Sequence, residues 1–190
     1  MREGLRSPAL YKLLLAGGFF AFTIMGGVVH FVPILQDVGA APLEAASIAS
    51  LIGIFSIVGR LGTGVLLDRF PGHWVGAVAF LVPVSACALL LLNGGDPVSQ
   101  MLAAAIFGLS VGSEVDVIAY LAARYFGLKS FGALYGALNM ALGVGLAFGP
   151  LAAGMLFDRF DSYTSFLMLT MVMMTASACA LLILGSPPPA

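Results

Sequence analysis

The chain has 190 residues, of which 61% are hydrophobic and 9% charged, with a mean hydropathy of +1.07 and a net charge of −1. A soluble domain carries roughly 25% charged residues, so this chain lacks the polar surface needed to face water, and it has no basic excess to attract nucleic acid. Its solvent is the lipid bilayer.

Apolar runs of about 20 residues, the length that crosses a hydrocarbon core of roughly 30 Å, recur six times. The first, 10–35, follows Arg2 and Arg6 and has Lys12 near its start. It is longer than the apolar core of a signal peptide and reads as a retained span. It carries His30 and Pro33 and ends in a turn at Asp37 to Gly39. The second, 44–67, holds Arg60 and runs into Asp68, Arg69 and the breaker pair Pro71, Gly72. The third, 74–92, stops at Asn93 to Pro97, and the fourth, 98–123, contains Glu114, Asp116 and Tyr120. Gly127 to Ser130 separates it from the fifth, 131–157, which contains Asn139. Asp161 and Ser162 precede the sixth, 163–184, and the proline-rich tail cannot continue a helix. Loops this short make consecutive helices antiparallel neighbours. The expected fold is therefore all-α and integral to the membrane, one six-span domain over 1–190.

Basic residues set the orientation of such a bundle. Arg2, Arg6, Lys12, Arg69, Arg124 and Lys129 fall on the side of the N-terminus. The other side has Arg159 with Asp37, Glu44, Asp96, Asp158 and Asp161. The bias predicts a multi-pass protein of the plasma (cell inner) membrane with both termini cytoplasmic. Cys87 and Cys179 lie in apolar runs without metal-ligand spacing and read as small core residues. The sequence shows no metal set, no cofactor motif, no phosphate loop and no nucleophile–base constellation, so it is not read as an enzyme. No paired-Asp motif supports an intramembrane protease.

Glycine is abundant, with 24 residues. Lipid gives helices no hydrophobic reason to associate, so close contact at small residues has to supply the packing. Gly132 and Gly136, Gly145 and Gly149, and Gly59, Gly62 and Gly64 fit that use. The end of the second span also recurs at the end of the fifth. Gly64, Leu66, Asp68, Arg69 and Phe70 return as Gly154, Leu156, Asp158, Arg159 and Phe160, five identities in seven positions. The copies fall on opposite sides of the membrane, as a three-plus-three inverted repeat requires.

Gly64, Asp68, Arg69 and Gly72 resemble the signature loop of major facilitator superfamily transporters, G-x-x-x-D-R-x-G-R, with one inserted residue and His73 where the last cation usually stands. The resemblance implies one six-helix half of that fold, the C-terminal one, and gating roles for these four residues. His30 to Leu35, Gly59 to Leu61, Ala123 to Gly127, Phe131 to Gly136, and Gly149 with Pro150 resemble the monocarboxylate and oxalate:formate branch. There Arg60, eight residues before Asp68, matches the anion-binding arginine. The lysine of the branch's dicarboxylate carriers aligns with Leu142, which favours a monoanion. The superfamily's transporters have twelve spans, with substrate held between two halves. The expected partners are thus the lipid bilayer, a small-molecule substrate, and a second six-helix half or another copy of this chain. The segment 1–8 resembles the end of the central loop.

Ionisable residues inside a bilayer are costly and are functional candidates by default. Arg60 and Asp116 lie at similar depth, about 12 Å from the helix ends on the N-terminal side, by a rise of 1.5 Å per residue. Glu114 lies two residues deeper and turned about 200° from Asp116, so one carboxylate faces the pore and the other a neighbouring helix. Arg60 with one of them forms either a packing pair or part of a substrate or proton site. His30 either contacts substrate or bonds a neighbouring helix, and Tyr120 and Asn139 are polar cavity liners. The resulting expectation is a secondary transporter half for a small organic anion, working by alternating access. The alternatives are a non-transporting half, a membrane assembly subunit, or a facilitator for another small solute. In a Cys-free background, single cysteines at Gly94 and Ser130 should label from opposite sides, Gly94 alone reacting with an impermeant reagent added outside. Labelling of both from one side would refute the six-span topology.

Overall fold

The computed structural model describes residues 7–185, with the backbone alone at residues 128–130. Arg2, Arg6, the Lys129 side chain, residues 1–6 of the segment compared with a central loop, and the proline-rich tail from residue 186 lie outside the described residues. The helices are α1 Pro8–Val29, a short α2 Phe31–Asp37, α3 Pro42–Arg69, α4 Gly72–Asn93, α5 Pro97–Gly127, α6 Phe131–Phe160 and α7 Thr164–Leu182. All but α2 are long and apolar enough to cross a membrane, and no strand occurs among the described residues.

Local chemistry explains the boundaries. The Ser7 hydroxyl accepts from Ala9 N at 3.2 Å, and Asp96 accepts from Ser99 N at 2.9 Å, each just before a proline at the first helical position. The Ser99 amide and hydroxyl hold the Asp96 carboxyl below its usual range by favouring its ionised form. This cap is in place at neutral pH and is lost as pH falls through that lowered value. The first expected span, 10–35, is not one helix. It breaks at His30 (φ −96°, ψ 10°) into α1 and α2. Pro33 causes the break, having no amide for the Val29 carbonyl and crowding it with its ring. The fourth and fifth spans run on from each other through a bend at Gly127, whose φ of 65° and ψ of 166° a side chain would resist.

The core runs through the middle of the bundle. Phe20 stacks on Phe80 at 3.9 Å, Phe31 meets Phe107 edge-on at 5.6 Å, and Phe166 is fully buried. Around it the helices meet backbone to backbone. A Cβ on Gly59 of α3 would overlap the Leu109 carbonyl of α5, and one on Gly112 of α5 would overlap the Ser56 carbonyl. On the other side, a Cβ on Gly149 of α6 would overlap the Phe22 carbonyl of α1, and one on Gly145 would stand 2.5 Å from the Gly18 carbonyl. Gly62, Gly64, Gly132 and Gly136, expected to pack in the same way, have nothing within 4 Å of a built Cβ. They lie on parts of α3 and α6 that the other described residues leave uncovered.

The packing pattern exchanges the two triples of spans. The second span of the first triple, α3, lies on the first span of the second triple, α5, while α6 lies on α1. The third spans, α4 and α7, pack on each other. The repeated helix end extends this symmetry inward. Gly59 and Gly149 are 90 residues apart (149 − 59), as are Asp68 and Asp158 (158 − 68), and each glycine has the tightest surroundings among the glycines of its helix. Gly59→Leu and Gly149→Leu should each cost about 1–3 kcal/mol through overpacking, whereas Gly62→Leu and Gly132→Leu should cost much less. Unfolding midpoints in detergent measure this, and four equal values would contradict the packing.

Candidate functional site

The α3–α5 crossing positions the membrane-embedded charges. Gly112 brings α5 against the backbone of α3 at Arg60 itself, where a Cβ would stand 2.7 Å from the Arg60 amide nitrogen. One turn further along α5, Asp116 reaches across, with Arg60 Nε to Asp116 Oδ2 at 3.5 Å. This is the only ion pair among the described residues, and both partners keep an open side, with 59% of the Arg60 side chain and 35% of the Asp116 side chain exposed. The contact runs through Nε, and the Arg60 Nη groups hydrogen-bond to no described residue. A hollow of about 360 Å³ opens beside the guanidinium, lined by Ser56, Ile57, Arg60, Leu61, Val111 and Gly112. The planar fork of a guanidinium matches a carboxylate through two parallel hydrogen bonds.

Glu114 and Asp116 diverge as their separation along the helix requires. Asp116 shares the open face with Arg60, whereas Glu114 is 8% exposed, turned into the bundle, and makes no hydrogen bond or ion pair with a described residue. Leu142, also buried, packs against Gly17 of α1.

The other sequence candidates stand apart from this pair. The Tyr120 hydroxyl accepts from Arg124 Nε at 3.2 Å, the Arg124 guanidinium lies over its ring, and the ring packs on Gly72 at the start of α4. Asn139 on α6 is exposed and donates to the Tyr135 carbonyl of its own helix at 2.9 Å. Of the signature-loop residues, Gly64 is open, Asp68 and Arg69 are exposed at the end of α3, and Gly72 is buried under Tyr120. His73 is not a loop residue but the second residue of α4, and it is buried.

His30 bonds neighbouring helices through both ring nitrogens. Nε2 lies 3.1 Å from the Pro150 carbonyl, which can only accept, so Nε2 carries the proton. Nδ1 then accepts from the Tyr163 hydroxyl at 2.8 Å in the neutral ring. Asp37 joins the same knot, taking the Tyr163 amide at 2.8 Å and the Ser162 hydroxyl at 3.1 Å. Burial and the nearby Asp37 and Asp158 charges raise the Tyr163 phenol above its usual range, so it remains a proton donor. Sequence reading treated Asp37 as a turn residue. No sequence signal pointed to its partner, which lies 126 residues away.

Comparison with known proteins places this geometry. The sequence matches the Major Facilitator Superfamily over residues 14–190. It is 23% identical to the uncharacterized MFS-type transporter YhjX of Escherichia coli K12, over 76% of this chain and 36% of that protein. It is 28% identical to monocarboxylate transporter 13 of Rattus norvegicus, over 72% of this chain and 32% of that one, and 26% identical to monocarboxylate transporter 12 of Xenopus laevis, over 87% and 37%. The chain thus spans about a third of the length of these relatives. The fold matches the crystal structure of the E. coli fucose:proton symporter FucP with a TM-score of 0.78 at 14% identity, covering 96% of this chain and 44% of that one. Six apolar spans, the exchanged packing of two triples, and these matches identify the chain as a multi-pass membrane protein that belongs to the Major Facilitator Superfamily.

Proposed function

We propose that this chain is one six-helix half of a secondary transporter for a small organic anion, with Arg60 as the anion's principal contact. The carrying observation is the Arg60–Asp116 pair. A permanently charged guanidinium stands inside the membrane on an uncovered face, held through Nε at 3.5 Å, on a residue that lines a hollow. Two of the relatives named above are monocarboxylate transporters. Leu142 aligns with the lysine of the branch's dicarboxylate carriers, and that apolar residue supports a monocarboxylate over a dianion. Asp116 acts as an internal stand-in for the substrate carboxylate, keeping Arg60 compensated while the site is empty and giving way when the anion arrives. Glu114 is a second candidate for ion coupling, away from the binding face. Asp68 and Arg69, at the mouth of the bundle, act in gating with Gly64 and Gly72. His30 serves the knot between helix ends on the opposite side.

In this reading a second six-helix half, or a second copy, covers the open faces of α3 and α6, and the two rock about a midplane site. Both termini are cytoplasmic. Lys12, Arg69 and Arg124 gather at one end, where the Lys12 ammonium donates to the Ile183 carbonyl at 2.7 Å and ties the two termini together.

In an assembled transporter, Arg60→Lys should weaken substrate binding about tenfold or more, because the charge remains but the two-pronged hydrogen bonding is lost. Asp116→Asn should tighten it by removing the competitor. Equilibrium binding of a radiolabelled monocarboxylate measures both. Full recovery of transport with unchanged affinity in the double variant Arg60→Gln, Asp116→Asn would reduce the pair to packing and remove the anion assignment. The chain alone, reconstituted as a verified monomer, should show no substrate-dependent flux. Robust uptake by that monomer would refute the need for a second half.

A further inference from the structure

A second hollow lies away from Arg60, on the other flank of α3. It is a crevice of about 600 Å³ between α3 and α4, with α5 as its floor. Val58, Leu66, Phe70, Trp74, Val78 and Val82 are among its walls. Two of its hydroxyls are turned away, Ser113 donating to the Ser110 carbonyl at 2.8 Å and Ser110 to the Ile106 carbonyl at 3.1 Å, so the floor is apolar in effect. From Val58 to Phe70 the crevice follows α3 for about 18 Å at 1.5 Å per residue. That is roughly the depth of one leaflet, half of a hydrocarbon core of about 30 Å.

At its outer end the crevice runs into a polar hollow, with Phe70 and Pro71 lining both. Arg69, Arg124, His73, Tyr120 and Asp68 line this hollow. Two guanidinium charges against one carboxylate leave a single positive charge, the complement of one phosphodiester. His73 is 8% exposed, and its Nδ1 has no partner among the described residues, which a buried polar atom does not normally tolerate. Trp74, the chain's only tryptophan, stands at the junction and is 57% exposed, in keeping with the preference of tryptophan for the membrane–water interface.

We propose that the α3–α4 crevice holds an acyl chain of an anionic phospholipid, whose phosphodiester sits in the adjoining hollow against Arg69, Arg124 and His73. The lipid belongs to the leaflet on the side of the chain's N-terminus. A free phosphate would leave the crevice unfilled, and a zwitterionic lipid would bring a headgroup cation to a hollow that already holds two guanidinium groups. The site shares no residue with the Arg60 hollow, so it stands whether or not that site binds an organic anion.

Native mass spectrometry of the full chain released from detergent tests this, with dioleoyl phosphatidylglycerol, dioleoyl phosphatidylcholine and glycerol phosphate as probes. Phosphatidylglycerol should form a one-to-one adduct at least tenfold more tightly than phosphatidylcholine, and glycerol phosphate should form none. Arg69→Gln with Arg124→Gln should weaken the phosphatidylglycerol adduct about thirtyfold, the loss of two cation–phosphate contacts at about 1 kcal/mol each. Gly62→Phe, at a position where a Cβ meets nothing within 4 Å, should fill the crevice and abolish the adduct. Circular dichroism checks its fold, and Ala79→Leu on the α4 wall serves if that variant is unfolded. Equal binding of the two lipids, an adduct indifferent to the arginine changes, or glycerol phosphate binding as tightly as the lipid would each overturn the proposal. So would a dimer that takes up no lipid, since it would place a second copy over the crevice.

Discussion

The structure depends on a few places where helix backbones touch. In lipid, side chains gain nothing by leaving their solvent, so association rests on close packing and on polar contacts that lipid cannot provide. Gly59 and Gly112 let α3 and α5 meet carbonyl against Cα, and Gly145 and Gly149 do the same for α6 on α1. Each contact excludes even a methyl group. The placement of Arg60 follows from the first of them, because the guanidinium emerges where the two backbones are closest and finds Asp116 one turn along. A wider crossing would put the two charges out of reach and leave each unpaired in low dielectric, where the cost is several kcal/mol.

The same contacts explain why α3 and α6 are the least covered spans. Each spends its small-residue edge on one neighbour and turns the rest outward, including Gly62, Gly64, Gly132 and Gly136. Exposed glycines on a helix in lipid contribute neither packing nor helix propensity. Gly132 and Gly136 would suit the approach of another helix bundle, whereas Gly62 opens the α3–α4 crevice.

Much of this was legible in the sequence, for reasons specific to membrane proteins. Six apolar runs declare themselves because every lipid-facing residue must be apolar, and the breakers between them are prolines and glycines whose backbone effects are local. The divergence of Glu114 and Asp116 follows from helix geometry alone. What the sequence does not carry is which face of each helix is inward. Apolar residues cover both the core and the lipid side, so glycine spacing marked Gly132 and Gly136 as readily as Gly145 and Gly149. The split of the first span at His30 was hidden because Pro33 is tolerated inside many membrane helices. The knot of His30, Tyr163 and Asp37 joins residues far apart in the chain with no local signature. The burial of His73 has no signal in the sequence, because its position in the signature loop lies next to a helix start and the motif does not say which way the side chain turns.

The exchange of partners between the two triples also sets a timetable for biosynthesis. Arg60 and Asp116 are 56 residues apart (116 − 60) on spans that enter the membrane separately. At the roughly 5–20 residues per second of chain elongation, Arg60 leaves the ribosome about 3–11 s before its counterion. During that interval α3 has neither its glycine contact with α5 nor charge compensation, so it is the span least able to settle in lipid alone. A newly made first triple therefore has to wait, held at the insertion machinery or with its arginine drawn toward the surface, until the second triple arrives to receive it.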